Sequence, residues 1–144
     1  MEPYLKQIKK AKLRRSLTAL RISAHRLEIE TGRYAGKNKD FVKREERLCS
    51  LCAVNGIEVM GDEIHAVLVC PKFDKDRQKT ISMLSQRYPN FMGLSDHNKL
   101  MFMMTCEDES IQLVCKLVHT VLTAGRHLIK RPVRKRSRKV KVRC

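Results

Sequence analysis

The sequence has no tryptophan and only three tyrosines and four phenylalanines in 144 residues, too few for an aromatic platform on which successive bases would stack. No apolar run approaches the roughly 20 residues of a membrane span. Met1-Glu2-Pro3-Tyr4 lacks the apolar stretch of a secretory signal. No Asn-x-Ser/Thr glycosylation acceptor occurs, and Cys144 does not stand fourth from the end, where a prenylation signal would need it. These absences predict an intracellular chain whose six cysteines are thiols or metal ligands rather than disulfides. Enzymatic signatures are missing too: there is no Gly-rich phosphate loop, no Gly-x-Ser-x-Gly and no adjacent Asp pair. A zinc deaminase would place His-x-Glu before its Cys pair, whereas here the Cys pair comes first and Glu63 precedes His65. The expectation is a protein with no catalytic residues.

Acidic residues are scarce where it matters. Residues 1–27 carry eight basic side chains and one acid, and residues 121–144 carry ten basic and none acidic. The 93 residues between hold thirteen basic and fourteen acidic, so the net charge of +16 sits entirely at the two ends. A near-neutral body with basic ends suits a module that packs a small core and holds a polyanion outside it. The tail cluster Lys130, Arg131, Arg134, Lys135, Arg136, Arg138 and Lys139 is also of the kind import receptors read, which predicts nuclear or nucleocytoplasmic residence.

What is present reads mainly as helix. Leu13, Leu17, Leu20, Ala24 and Leu27 fall at helical spacing with Arg14, Arg15, Arg21 and Arg26 opposite, a basic amphipathic helix ended by Gly32 and Gly36. Asn55-Gly56 is a tight-turn signal, and a helical turn starts near Gly61-Asp62-Glu63 and stops at Pro71. Asp74–Arg87 reads as a helix on Ile81 and Leu84, broken by Tyr88-Pro89-Asn90. Ser95 is an N-cap for a short helix whose apolar face is Leu100, Met101, Met103 and Met104. The last helix opens on a capping box, Thr105-x-x-Asp108, and ends at Pro132. Its stripe of Ile111, Val114, Cys115, Val118, Val121, Leu122, Leu128 and Ile129 is core, which makes Cys115 a buried small hydrophobe. The organisation expected is a basic amphipathic helix over 1–32, a zinc-knuckle and helical body over 33–131, and a disordered basic C-terminal tail over 132–144. The fold class is mainly α.

One arrangement is chemically specific: Cys49-x2-Cys52-x12-His65-x4-Cys70. A Cys-x2-Cys turn offers two thiolates from one bend, and a His and a Cys a few residues apart complete a tetrahedron for one Zn²⁺. A site with all four positions filled by protein is structural, since catalytic zinc keeps a place for water. Three thiolates and a neutral imidazole leave a formal −1 around the ion, which Arg44, Arg47 and Lys72 stand near enough in sequence to offset.

Three stretches carry a resemblance. Leu20-Arg21-Ile22-Ser23-Ala24-His25-Arg26-Leu27-Glu28-Ile29-Glu30-Thr31-Gly32-Arg33-Tyr34, then Glu45-Glu46-Arg47-Leu48-Cys49-Ser50-Leu51-Cys52, then Asp62-Glu63-Ile64-His65-Ala66-Val67-Leu68-Val69-Cys70-Pro71-Lys72-Phe73 resemble the segment following the polymerase in reverse transcriptases of animal non-LTR retrotransposons. The likeness spans about Tyr4 to Leu122. It implies a zinc-knuckle-like module that helps hold nucleic acid, with Cys49, Cys52, His65 and Cys70 as ligands. The family has a shorter stretch between its second Cys and its His than the twelve residues found here, as though Val59-Met60-Gly61 and a neighbour were inserted at the turn. Its polymerase and endonuclease have no counterpart in these residues, which implies a remnant or free-standing descendant.

The functional expectation is a non-enzymatic, zinc-dependent module that binds DNA or RNA through phosphate contacts. The candidate contact residues are Arg14, Arg15, Arg21 and Arg26 with the tail cluster from Lys130 to Lys139. The alternative is a zinc-stabilised scaffold for protein partners, with Met101–Met104 as docking face and the basic ends as localisation signals. A further alternative lays the N-terminal helix on an anionic membrane, against which its lack of Trp and Phe counts.

Overall fold

The computed structural model describes residues 2–34 and 42–124. Its α-helices are, in order, α1 (Pro3–Gln7), α2 (Ala11–Arg21), α3 (Glu28–Thr31), α4 (Ser50–Ala53), α5 (Asp74–Arg87), α6 (Asp96–Thr105) and α7 (Ser110–Ala124). Among the described residues there is no strand, and the single ladder contact is an isolated antiparallel bridge between Leu48 and Met60. The fold is mainly helical, as the periodicities predict.

The centre is α7. Ile111, Val114, Cys115, Val118 and Val121 repeat at intervals of three and four, the spacing that lines one face of a helix, and Leu117 widens the stripe; all are buried. α2 and α5 lie against this face, with α6 and α1 closing it. Leu13, Leu17 and Leu20 of α2 join Leu84 of α5, Phe91, and Leu100 and Met103 of α6 in one buried cluster. α2 therefore shares one buried cluster with α5, α6 and α7.

Two boundaries differ from the sequence expectation. α2 stops at Arg21 instead of running to Gly32. The Ser23 amide donates to the Leu20 carbonyl (3.2 Å) and the Ala24 amide to the Ala19 carbonyl (2.8 Å), while Ser23 adopts φ 52°. This pairing with a left-handed residue is a Schellman ending, and it is hidden in the sequence because serine stands where glycine usually does. The expected capping box at Thr105 is not formed either. Thr105 closes α6, its hydroxyl donating to Met101 (2.9 Å), and Asp108 caps α7 by accepting from the Ser110 amide at 2.7 Å. Asp108 also accepts from the Tyr88 hydroxyl and from Arg87 Nε (3.1 Å), tying the end of α5 to the start of α7. α5 begins and ends at the expected residues, and Ser95 caps α6 through the Asn98 amide (3.3 Å). Gly36, Leu128, Ile129, Pro132 and the whole basic tail lie outside the described residues.

Candidate metal centre

The Cys-x2-Cys half of the site is a short hairpin-like turn. The Cys49 amide donates to the Val59 carbonyl (2.8 Å) and the Gly61 amide to the Arg47 carbonyl (2.8 Å), flanking the Leu48–Met60 bridge. Between them the chain turns through α4, whose amides at Cys52 and Ala53 bond back to the Cys49 carbonyl (3.2 and 2.9 Å). Gly56 reverses the chain with φ 72°, a left-handed conformation that glycine adopts without steric cost. Val59, Met60 and Gly61 are thus the return arm of the knuckle, not a bulge at its turn.

The His-x4-Cys half is a single π-helical turn, His65–Val69, entered from Asp62. Asp62 Oδ1 accepts from the His65 amide (2.7 Å), and the Cys70 amide donates to the His65 carbonyl five residues back (2.6 Å). That wider turn is what lets residues five apart present their side chains to one point. Pro71 then breaks the turn and starts the path into α5.

Together the halves bring Cys49, Cys52, His65 and Cys70 into one buried cluster, their ligand atoms all within 4.8 Å of one another. Cys52 Sγ lies 3.3 Å from His65 Nε2 and 3.7 Å from Cys70 Sγ. Bonds of about 2.3 Å to sulfur and 2.0–2.1 Å to nitrogen in a tetrahedron put ligand atoms about 3.5–3.8 Å apart, so the donor set fits one small metal ion. A disulfide needs about 2.05 Å, and the cysteines here are free. Burial raises the Cys49 pKa, and burial together with the neighbouring thiols pushes Cys52 up to about 12. Burial also lowers the His65 pKa, favouring the neutral imidazole that a metal requires. His65 Nδ1 is buried and has no hydrogen-bond partner among the described residues.

The surroundings were only partly legible. Of the cations expected to offset the site's charge, Arg44 and Lys72 are exposed, and Arg47 is turned toward the backbone, donating to the Ile29 (2.8 Å) and Val42 (3.0 Å) carbonyls. The cation that braces the centre is Arg77 of α5, buried, donating to the carbonyls of Cys70 (2.9 Å) and Val67 (3.2 Å) and paired with Asp74. Its signal in the sequence is an Asp-x2-Arg pair on the first turn after Cys70-Pro71.

The segment before the knuckle clasps it. Glu28 Oε1 accepts from the Ser50 amide (2.9 Å) and hydroxyl (2.5 Å), and the Ile29 amide donates to the Gly61 carbonyl (3.1 Å). His25, its side chain fully buried, bonds Glu63 through Nε2 at 2.9 Å, which draws the Glu63 carboxyl below its usual range. The Leu27 amide reaches His25 Nδ1 at 3.4 Å, so both ring nitrogens serve the fold. Cys106 and Cys115 are buried far from the cluster in sequence and join the hydrophobic core.

The four arginines expected to meet phosphate do not form one face. Arg14 donates to the Ile8 (2.5 Å) and Lys9 (3.0 Å) carbonyls after α1, and Arg21 pairs with Glu2 (3.0 Å) and lies over the Tyr4 ring (4.8 Å). Arg15 and Arg26 remain exposed. Lys130, Arg131, Arg134, Lys135, Arg136, Arg138 and Lys139 lie outside the described residues. No helix among the described residues is long and apolar enough to cross a membrane. No protein-family model, no curated protein and no solved structure was found to match this chain.

Proposed function

We propose that the chain is a non-enzymatic nucleic-acid-binding module whose knuckle is held by one structural Zn²⁺. The observation that carries the reading is the convergence of three buried thiols and a buried imidazole within 4.8 Å. The donor chemistry favours zinc: sulfur and imidazole ligands in a closed set of four suit a borderline-soft ion without redox demands. With every position taken by protein, the ion's part is to fold the loops between Cys49 and Cys70, not to activate water.

Nucleic acid is the partner that the charge supports. Ten basic and no acidic residues after position 120, with eight basic residues in the first 27, favour a long polyanion over an acidic protein patch. Arg15 and Arg26 extend that potential onto the folded body. The resemblance to the post-polymerase segment of non-LTR reverse transcriptases points the same way, and the first of its stretches, Leu20 to Tyr34, includes His25, Glu28 and Ile29, which grip the knuckle. On this reading the tail cluster also directs the chain to the nucleus.

The test is elemental analysis of purified protein together with titration of DNA and RNA before and after chelation. One zinc per chain and affinity lost on chelation beyond the tail's share are the expected results. Well under one zinc per chain, or equal binding by intact and metal-free protein, would overturn the reading.

A further inference from the structure

The break in α2 has an effect on the surface. Lys12, Arg15, Ser16 and Ala19 follow one another at intervals of three, one and three residues, so they share one face of α2. Because the chain reverses at Ser23, Arg26 comes back beside that face, and His119 of α7 closes the other side. The result is a concavity of about 320 Å³ lined by these side chains, and no carboxylate lines it. Ser16 Oγ lies 3.1 Å from the Lys12 carbonyl and is hydrogen-bonded to His119 Nδ1 at 2.8 Å, which fixes the wall between α2 and α7.

We propose that this concavity seats a single backbone phosphate of a nucleic acid, held by Lys12, Arg15 and Arg26. The inference deepens the nucleic-acid reading and rests on it. Three cationic side chains on the lining of one recess that no carboxylate lines suit one shared phosphate rather than a stripe of independent contacts. A recess of about 320 Å³ admits a phosphodiester group. An anionic membrane is disfavoured because α2 has already committed its apolar face: Leu13, Leu17 and Leu20 are buried against the core and are not free to insert. A phosphorylated peptide is disfavoured by the ten further basic residues after position 120, which extend the field far beyond one phosphate.

The test uses the full zinc-loaded chain and anisotropy titrations with a fluorescent duplex DNA, a single-stranded DNA and an RNA hairpin, between ~50 and ~200 mM salt. The pocket variants are Lys12→Gln, Arg15→Gln and Arg26→Gln, singly and combined. A Lys72→Gln, Lys75→Gln, Lys79→Gln triple removes equal charge from exposed positions elsewhere. Because one phosphate is shared, the combined pocket variant should lower the slope of log K against log salt by about 0.9 on duplex DNA, not by three times that. Each single variant should already lose most of the affinity that the triple loses, about tenfold at the lower salt. Lys12→Arg, Arg15→Lys and Arg26→Lys should retain it, and circular dichroism should match the parent throughout. Equal losses in the pocket and control triples, or strictly additive single losses, would overturn the phosphate seat while leaving the nucleic-acid reading in place. Failure of the parent chain to bind any of the three probes would overturn both. Pocket-dependent binding to phosphatidylserine vesicles or to a phosphopeptide without nucleic-acid binding would reassign the recess and overturn the proposal.

Discussion

Glu28 Oε1 accepts two hydrogen bonds from Ser50, from its amide at 2.9 Å and from its hydroxyl at 2.5 Å. The contact joins segments 22 residues apart and fixes the residue next to Cys49 of the buried Cys/His cluster. A carboxylate bonded to a backbone amide at the start of a helical turn is a cap, and here the cap comes from a different segment. Glu28→Ala should therefore cost about 1–2 kcal/mol and speed zinc transfer to a chelator. Glu28→Gln, which keeps an acceptor, should recover part of both. A chelator assay that finds Glu28→Ala indistinguishable from the parent would remove the clasp from the account of the site.

Removal of the zinc proposed for the cluster should be felt beyond the knuckle. Cys70 is followed directly by the turn into α5, and Arg77 of α5 donates to the Cys70 and Val67 carbonyls. Loss of the ion frees the π-helical turn that presents those carbonyls, so chelation or Cys49→Ser should lower the melting temperature and loosen α5. Hydrogen exchange is the measurement: faster exchange in α5 and at Cys49–Cys70, with α7 retained, is expected. An unchanged melt and unchanged exchange after chelation would be incompatible with a structural ion.

Gly61 lies where the return arm passes the clasp. A Cβ there would stand 2.6 Å from Glu28 Oε2 and 3.1 Å from the Cys49 Cα. The second contact is backbone and cannot swing aside, so Gly61→Ala should displace Cys49 and destabilise by about 1–3 kcal/mol. Weaker zinc retention should accompany the lower melt. Gly56→Ala meets no neighbouring atom and acts only through its φ of 72°, so its cost should be confined to stability, about 1–2 kcal/mol.

The buried cluster of Cys49, Cys52, His65 and Cys70 is readable from its spacing alone, and so are α5, α6 and the buried stripe of α7, where apolar period and punctuation agree. What was not readable depended on contacts between segments. Arg14 and Arg21 carry the same signal as Arg15 and Arg26, a positive charge on an amphipathic helix, yet the N-terminal segment takes both: the Ile8 and Lys9 carbonyls accept from Arg14, and Glu2 and Tyr4 hold Arg21. Arg77 is hard to read for the complementary reason: its Asp-x2-Arg spacing marks a pair with Asp74 but carries no sign that the arginine is buried. The capping assignment at Thr105 failed because Asp108 caps through its own side chain, a local bond that competes with the box pattern.

Thiol reactivity separates the two kinds of cysteine. Burial pushes Cys106 up to about 11 and Cys115 up to about 12, so at about pH 8 their thiolate fractions are about 10⁻³ and 10⁻⁴. In a Cys144→Ser chain, native protein should resist iodoacetamide, and chelation should expose Cys49, Cys52 and Cys70, the three cysteines of the cluster. Mass spectrometry would count them. Labelling of Cys49 before chelation would contradict metal ligation, and rapid labelling of Cys115 would contradict its place in the core. Cys115→Ser should cost more than Cys106→Ser, since it places a hydroxyl among Ile111, Val114 and Val118.

The turn at Ser23 offers the cleanest test of how the chain leaves α2. A serine at φ 52° bears a steric cost of about 1–2 kcal/mol that glycine would not. Glycine in turn gives the unfolded chain more freedom, which offsets about 0.4–1 kcal/mol of the gain. Ser23→Gly should therefore be neutral to stabilising by up to about 1.6 kcal/mol. Ser23→Val places a branched side chain in the same left-handed conformation and should destabilise by more than 1 kcal/mol, on the order of the penalty for an incompatible backbone. If the Schellman bonds from Ser23 and Ala24 to Leu20 and Ala19 end the helix, the glycine variant keeps Arg26 beside Arg15 and retains nucleic-acid affinity, while the valine variant loses affinity along with stability. Urea melts of both variants, paired with the same anisotropy titration, check the order; a Ser23→Val chain as stable as the parent would mean that α2 runs on past Arg21 in solution.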